Sequence, residues 1–292
     1  MHKSVLIKET LEYLKCEKKK VILDCTVGCG GHAKEILKKL PLGAKLIGID
    51  ADKKALEIAE ENLKDFKGSY VLVHENFRNL DKVLAQLNIR TVDAMLFDLG
   101  ISSFQLEDTD RGFSFSKDSI LDMRMDTTLG KPLWKIINNM SEKELGYIIK
   151  DLGEERLWHR IAWAIVTERR KQPIKDTYRL AYIIRRAVRY KEKGRIDPAT
   201  KTFQAFRILV NDELGALKEA LSKVTYYLSK NGRAVVISFH SLEDRIVKYR
   251  FRKLEKEGPL TILTKKPITP GKEEKKENPR SRSAKLRAAQ RL

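Results

Sequence analysis

The chain has 292 residues, enough for one large or two ordinary domains, with 34% charged residues and a formal net charge of +19. No run approaches the roughly 18 apolar residues of a membrane span and no apolar signal region opens the sequence, so the expected location is the cytoplasm. Cys16, Cys25 and Cys29 are an odd set without a second pair, which argues against a disulfide framework and a four-ligand zinc site; no metal site is expected.

Val21-Ile22-Leu23-Asp24 reads as a buried parallel strand, followed by the loop Cys25-Thr26-Val27-Gly28-Cys29-Gly30-Gly31-His32 and a helix over 33–40 stopped by Pro41. Cys25 and Cys29 fall in this turn as small packing residues. A second strand, Leu46-Ile47-Gly48-Ile49-Asp50, ends in an acid 22 residues after Gly28, about where nucleotide-binding α/β units place the carboxylate that accepts from ribose hydroxyls. Helix 53–65 carries Leu56, Ala59 and Leu63 on one face. The third strand, Tyr70-Val71-Leu72-Val73-His74-Glu75, ends in Asn76 and Phe77, an amide and a ring suited to adenine. Helix 79–87 leads to a fourth strand, Val92 to Gly100, with Asp98 at its carboxyl end, where open parallel sheets bind ligands.

This Rossmann-like loop fits two cofactors. Gly28-x-Gly30-x-x-Ala33 satisfies the dinucleotide fingerprint, in which backbone amides face a pyrophosphate. S-adenosylmethionine would present a carboxylate to the same amides, and Asp98 beside its sulfonium suits methyl transfer better than hydride transfer. The methyl donor is therefore preferred.

The α/β alternation stops at Gly100. From Ile101 to about Thr200 no buried-strand pattern occurs; helices are signalled by a capping box at Ser141-x-x-Glu144, by an apolar face through Leu157, Ile161, Ala164 and Ile165, and by a span over about 177–190. Asp197-Pro198 predicts the start of one long helix running toward Leu228. Strand chemistry returns at Gly232-Arg233-Ala234-Val235-Val236-Ile237-Ser238-Phe239. That strand belongs by type to the first sheet, so residues 105–204 read as a helical insertion between two parts of one α/β domain, 1–104 and 205–292. The insertion is expected to hang over the cofactor mouth. A connector around 265–279 is expected to be mobile, and residues 278–287 to form a basic arm.

Charge is unevenly distributed. Residues 1–104 carry a net +2, whereas residues 169–207 carry +10, including Arg169, Arg170, Lys171, Arg185, Arg186, Arg189, Lys191, Lys193, Arg195 and Arg207. Such clustering is the footprint of a polyphosphate partner, and the interleaved Tyr178, Tyr182, Tyr190, Phe203 and Phe206 could stack on unpaired bases. Nucleic acid is the expected partner, with this block and the basic tail as its clamps; a membrane surface is not.

Segments spanning nearly the whole chain resemble one family: Asp24-Cys25-Thr26-Val27-Gly28-Cys29-Gly30-Gly31-His32, Asp98-Leu99-Gly100-Ile101-Ser102-Ser103-Phe104-Gln105-Leu106, Arg111-Gly112-Phe113-Ser114-Phe115, Leu121-Asp122-Met123-Arg124-Met125, Asp197-Pro198-Ala199-Thr200, Ile237-Ser238-Phe239-His240-Ser241-Leu242-Glu243-Asp244-Arg245 and Asn278-Pro279-Arg280-Ser281-Arg282-Ser283. The sequence is similar to the RsmH (MraW) ribosomal RNA small subunit methyltransferases. The resemblance implies a Rossmann-like class I fold with an inserted helical domain, and methylation of the exocyclic N4 amine of a cytidine in the decoding region of bacterial 16S rRNA with S-adenosylmethionine as donor. It also implies donor contacts at Gly30, Gly31, His32, Asp50, Phe77, Asp98 and Gln105.

The amine of cytosine is a poor nucleophile because its lone pair is delocalised into the ring. Acceptors at the amine protons favour the geometry needed for in-line attack, and Asp98 is the first candidate, with the Leu99 or Gly100 carbonyl as companion. Asp98 could instead bind only the donor's amino group. His240, after the last strand, could orient the base or take a proton. Methylation at ring carbon five would need a cysteine nucleophile, and none follows the fourth strand. Two other readings are a dinucleotide-dependent oxidoreductase and a small-subunit assembly factor that binds rRNA without catalysis.

Overall fold

The structure is a computed structural model that describes residues 4–189 and 197–292. Lys191, Lys193, Arg195 and Tyr190 of the basic block lie outside the described residues. Two compact units are present, Met1–Gly100 with Leu214–Leu292, and Ile101–Glu213.

In the first unit, α1 (Ile7–Leu14) precedes β1 (Val21–Asp24), α2 (Gly31–Leu37), β2 (Lys45–Asp50), α3 (Lys53–Leu63), β3 (Tyr70–His74), α4 (Leu80–Gln86) and β4 (Val92–Asp98). In the second, α5 (Ser103–Glu107), α6 (Leu133–Ile137), α7 (Glu142–Asp151), α8 (Trp158–Lys171), α9 (Thr177–Ala187) and α10 (Ala199–Asn211) follow. The chain then continues through α11 (Glu213–Tyr227), β5 (Leu228–Ser238), α12 (Ser241–Glu257), β6 (Leu260–Ile262), α13 (Lys272–Glu277) and β7 (Lys285–Arg291).

Among the described residues seven strands make one sheet in the order β3-β2-β1-β4-β5-β7-β6. β3, β2, β1, β4 and β5 are parallel, while β7 runs antiparallel to both β5 and β6. The late strand thus joins the first sheet beside β4, with Asp98 opposite Ile237. Strand residues are apolar without alternation because helices cover both faces. Leu23, Met95, Phe97 and Val236 pack beneath α4, α11 and α12, whereas Ile22, Ala94, Leu96 and Val235 pack beneath α1, α2 and α3.

The second unit has its own core, built from Leu121, Met123, Leu145, Ile149, Ile161, Ile165, Leu180 and Ile184. The expected capping box closes at Ser141 and Glu144. Buried Arg111 donates to the carbonyls of Arg124 and Met125, and Asp122 takes a two-pronged contact from Arg124 at 2.8 Å per bond. These loops are therefore held by charge-assisted hydrogen bonds to backbone and carboxylate, which the short local helices could not supply.

Several expectations change. α2 ends at Leu37, before Pro41. The long helix is two, because Asp212 takes left-handed backbone (φ 46°) between α10 and α11, and Arg207 reaches across the break to Glu213 through two bonds of 2.7 and 2.8 Å. The helical unit accordingly runs over Ile101–Glu213 and not 105–204, since a boundary at 204 would cut α10. Phe203 and Phe206 are core residues, 4% and 0% exposed, and cannot stack on bases. The tail is no arm: residues 285–291 are β7, clamped because Asp244 receives both Arg287 (2.7 Å) and Lys285 (3.2 Å). The connector contains α13, with Ile268 bridged to Leu286 and Glu274 accepting from the Leu6 amide.

Candidate donor-binding and catalytic site

The carboxyl ends of β1, β2 and β4 each close on an aspartate, Asp24, Asp50 and Asp98, and the glycine loop runs between them. The loop is bound to the sheet by its own amides. Cys25 N–H donates to Leu96, Val27 N–H to Ile49, and Gly28 N–H to Asp50 Oδ2 at 2.8 Å. Gly28 (φ 52°) and Gly30 (φ 85°) hold left-handed backbone, and a Cβ at Gly30 would press on Leu63 and Ala59 of α3. Asp50 Oδ1 accepts from the Asp52 amide at 2.9 Å. Its carboxylate thus braces the loop while each oxygen keeps a second lone pair for a ligand. Burial raises Asp50 to about 6, against the pull of those two amides.

Asp98 is fixed from two directions. Its amide donates to Thr26 Oγ1 at 2.7 Å, and its Oδ2 lies 3.2 Å from His32 Nδ1. The other ring nitrogen of His32 meets the Val5 carbonyl at 2.9 Å. Asp24 Oδ1 accepts from the Thr26 amide, and burial raises this carboxyl to about 7 although His32 pulls it down. Among the described residues, Asp98 Oδ1 and Asp24 Oδ2 are buried oxygens without a hydrogen-bond partner.

The other candidates divide by unit. Phe77 stands after β3 in a short 3₁₀ turn, edge-on to Phe97 with ring centroids 6.0 Å apart. The Asn76 side chain caps that turn by accepting from the Arg78 amide. Glycines 28, 30 and 31, His32, Asp50, Phe77 and Asp98 all belong to the α/β unit. His240 does too, two residues past β5, and it is the N-cap of α12: Nδ1 accepts from the Glu243 amide at 3.4 Å, while Glu243 Oε2 accepts from the Phe239 and His240 amides. Its Nε2 lies 3.2 Å from Glu243 Oε1 but outside hydrogen-bonding geometry. Gln105 belongs to the helical unit, where Oε1 accepts from the Ser102 amide and Ser102 Oγ accepts from the Gln105 amide in a capping box on α5.

Sequence reasoning missed Asp24 and Thr26 as members of the site. The signal was present: three apolar runs, VILD, LIGID and MLFD, each end in aspartate, and strands ending at one edge of a parallel sheet bring their terminal residues together.

Three carboxyl groups gather at the strand ends, two of them with an orphaned buried oxygen, and His32 is a ring beside them that can carry positive charge. A dinucleotide pyrophosphate would add anions there, whereas the sulfonium and ammonium of S-adenosylmethionine supply cations, so the residues fit the methyl donor. Sheet, loop and acids together define a Rossmann-like class I methyltransferase that uses S-adenosylmethionine. The family model for the MraW methylase family matches residues 1–292. The chain belongs to that family. It is 50% identical over 292 residues to a ribosomal RNA small subunit methyltransferase H from Sulfurihydrogenibium sp., covering 100% of this chain and 99% of the relative. A protein of the same description from Clostridium botulinum (strain 657) is 47% identical over 306 residues, again with 100% and 99% covered. A solved structure of a candidate rRNA-methylase from Clostridium thermocellum covers 100% of both chains at a TM-score of 0.50 and 11% identity, a likeness of fold alone.

Proposed function

We propose that this methyltransferase acts in the cytoplasm on the small-subunit ribosomal RNA and methylates the exocyclic N4 amine of a cytidine in its decoding region. The bound donor supplies an electrophilic methyl group. Gly28, Gly30 and Gly31 let the backbone approach it, Asp50 serves its ribose, Phe77 its adenine, His32 and Asp98 its methionine end, and Gln105 is a further contact implied by family resemblance.

The observation that carries the reading is Asp98 Oδ1, a fixed, buried acceptor at the end of β4 without a protein donor. Accepting an amine proton there would localise the nitrogen lone pair toward the methyl carbon. Methylation at ring carbon five, which needs a thiolate to attack ring carbon six, is disfavoured at Cys16 and Cys25: burial pushes the first thiol up to about 12 and the second well above its ordinary range. His240, committed to capping α12, is the weaker candidate for a proton acceptor.

The RNA reading is supported by the relatives' descriptions and by the exposed side of α9. Tyr178 (50% exposed), Tyr182 (58%) and Arg186 follow at i, i+4 and i+8, with the Arg186 guanidinium 5.5 Å from the Tyr182 ring centre, a stacking platform with a cation. Parts of the basic block are committed internally: Arg185 pairs with Asp197 at 2.7 Å and Arg207 with Glu213. Among the described residues no helix is long and apolar enough to cross a membrane.

The test is tritiated methyl transfer to small subunits from a strain lacking the modification, followed by nucleoside analysis. N4-methylated cytidine is expected from wild type, and Asp98→Ala should slow transfer by about 10²–10⁴-fold. Another labelled nucleoside would overturn the substrate assignment, a normal rate in Asp98→Ala would overturn the role of that carboxylate, and no transfer by wild type would favour the assembly-factor reading.

A further inference from the structure

Both ring nitrogens of His32 face acceptors. Nδ1 is 3.2 Å from Asp98 Oδ2 and Nε2 is 2.9 Å from the Val5 carbonyl, with the side chain only 6% exposed. A neutral imidazole carries one N–H and can satisfy one of these acceptors, whereas an imidazolium donates to both. The ring is buried, while Asp98 keeps 23% of its side chain exposed.

We propose that His32 is a positioning residue that works as an imidazolium, gripping Asp98 Oδ2 so that Oδ1 is left as the acceptor for the substrate amine. The proposal rests on the role given to Asp98 above. The charged groups facing the ring are Asp98 from β4 and Asp24 from β1, with the Val5 carbonyl approaching from the segment before α1. Burial opposes the charge on His32, but Asp98, through its charge and its hydrogen bond, and Asp24 outweigh it and raise the imidazole above its ordinary range.

The arrangement assigns the protons. As the nitrogen bonds to the methyl carbon and the sulfur keeps the electron pair of the C–S bond, the amine sheds one proton to Asp98 Oδ1. His32 keeps both of its own, so it cannot be the base. It also makes the oxygen it grips a poorer acceptor than its neighbour, which directs the amine to Oδ1.

Two measurements test this. With ring-¹⁵N-labelled histidine in the full chain at pH 7 and no RNA present, the His32 signals, assigned through cross-peaks to Val5, are expected to show both nitrogens protonated. A bare ring nitrogen would overturn the proposal. Single-turnover transfer to small subunits is then followed against pH. Wild type should hold its rate through neutrality and lose it as His32 deprotonates at higher pH. At saturating donor, His32→Gln should lower the transfer rate about tenfold or more and should lack the alkaline loss. A wild-type rate and pH profile in His32→Gln would refute the assignment. The magnetic-resonance result involves no RNA and no variant, so it stands apart from any failure of the substrate reading or of the variant's folding.

Discussion

Asp24 shows how a single buried carboxyl couples the site to pH. Its native value of about 7 lies above the ordinary aspartate value near 3.9, so between those two the folded chain holds a proton that the unfolded chain has lost, and stability falls as pH rises. Asp24→Asn keeps the acceptor for the Thr26 amide and removes the titration. Relative to wild type, its melting temperature should rise at pH 8 and change little at pH 4, read by thermal scans across that range. The positions of Asp98, Asp50 and the glycine loop were legible because apolar strand runs end visibly in the sequence. His240 was harder to read. A histidine three residues before a glutamate is equally a catalytic group and an N-cap, and only the backbone geometry at α12 distinguishes them.

At the scale of elements, the parallel strands were legible from their unbroken apolar runs, and β7 was not. Its Lys285 and Arg287 look like a solvated basic arm until Asp244, from α12, neutralises them, a pairing that no local pattern contains. Arg287 is 7% exposed, so Asp244→Ala would leave a buried cation without its carboxylate and should cost about 3–5 kcal/mol of stability in urea unfolding. The split between α10 and α11 escaped for a related reason: Asp212 breaks no periodicity, and the Arg207–Glu213 pair that spans it is set by the fold. In the helical unit, Gly112 sits at φ 67° with a hypothetical Cβ 2.2 Å from the Ile120 carbonyl oxygen. Gly112→Ala should therefore destabilise that unit by about 2–4 kcal/mol, from left-handed strain plus the forced backbone shift, measured as an earlier transition of the full chain in urea.

Over the whole molecule, the densest run of positive charge is residues 169–207, a net +10, while residues 1–104 carry only +2. Affinity for RNA should fall linearly with the logarithm of salt concentration. Arg186→Ala should shallow that slope by about 0.7 without changing sequence preference, whereas Tyr182→Ala should weaken single-strand binding by about 1–3 kcal/mol with the slope intact, both read by filter binding across a salt series.

The placement of the helical unit between β4 and β5 also bears on how the chain reaches its native state. These neighbours in the sheet are joined through residues 99–227, so their pairing must close a long loop before it gains any contact energy. An insert that has already condensed shortens the effective loop, and the order of events becomes insert first, sheet second. Slowed recovery of the sheet in stopped-flow refolding of Gly112→Ala would be the kinetic trace of that dependence, and an unchanged rate would show that the two halves zip together without waiting for what lies between them.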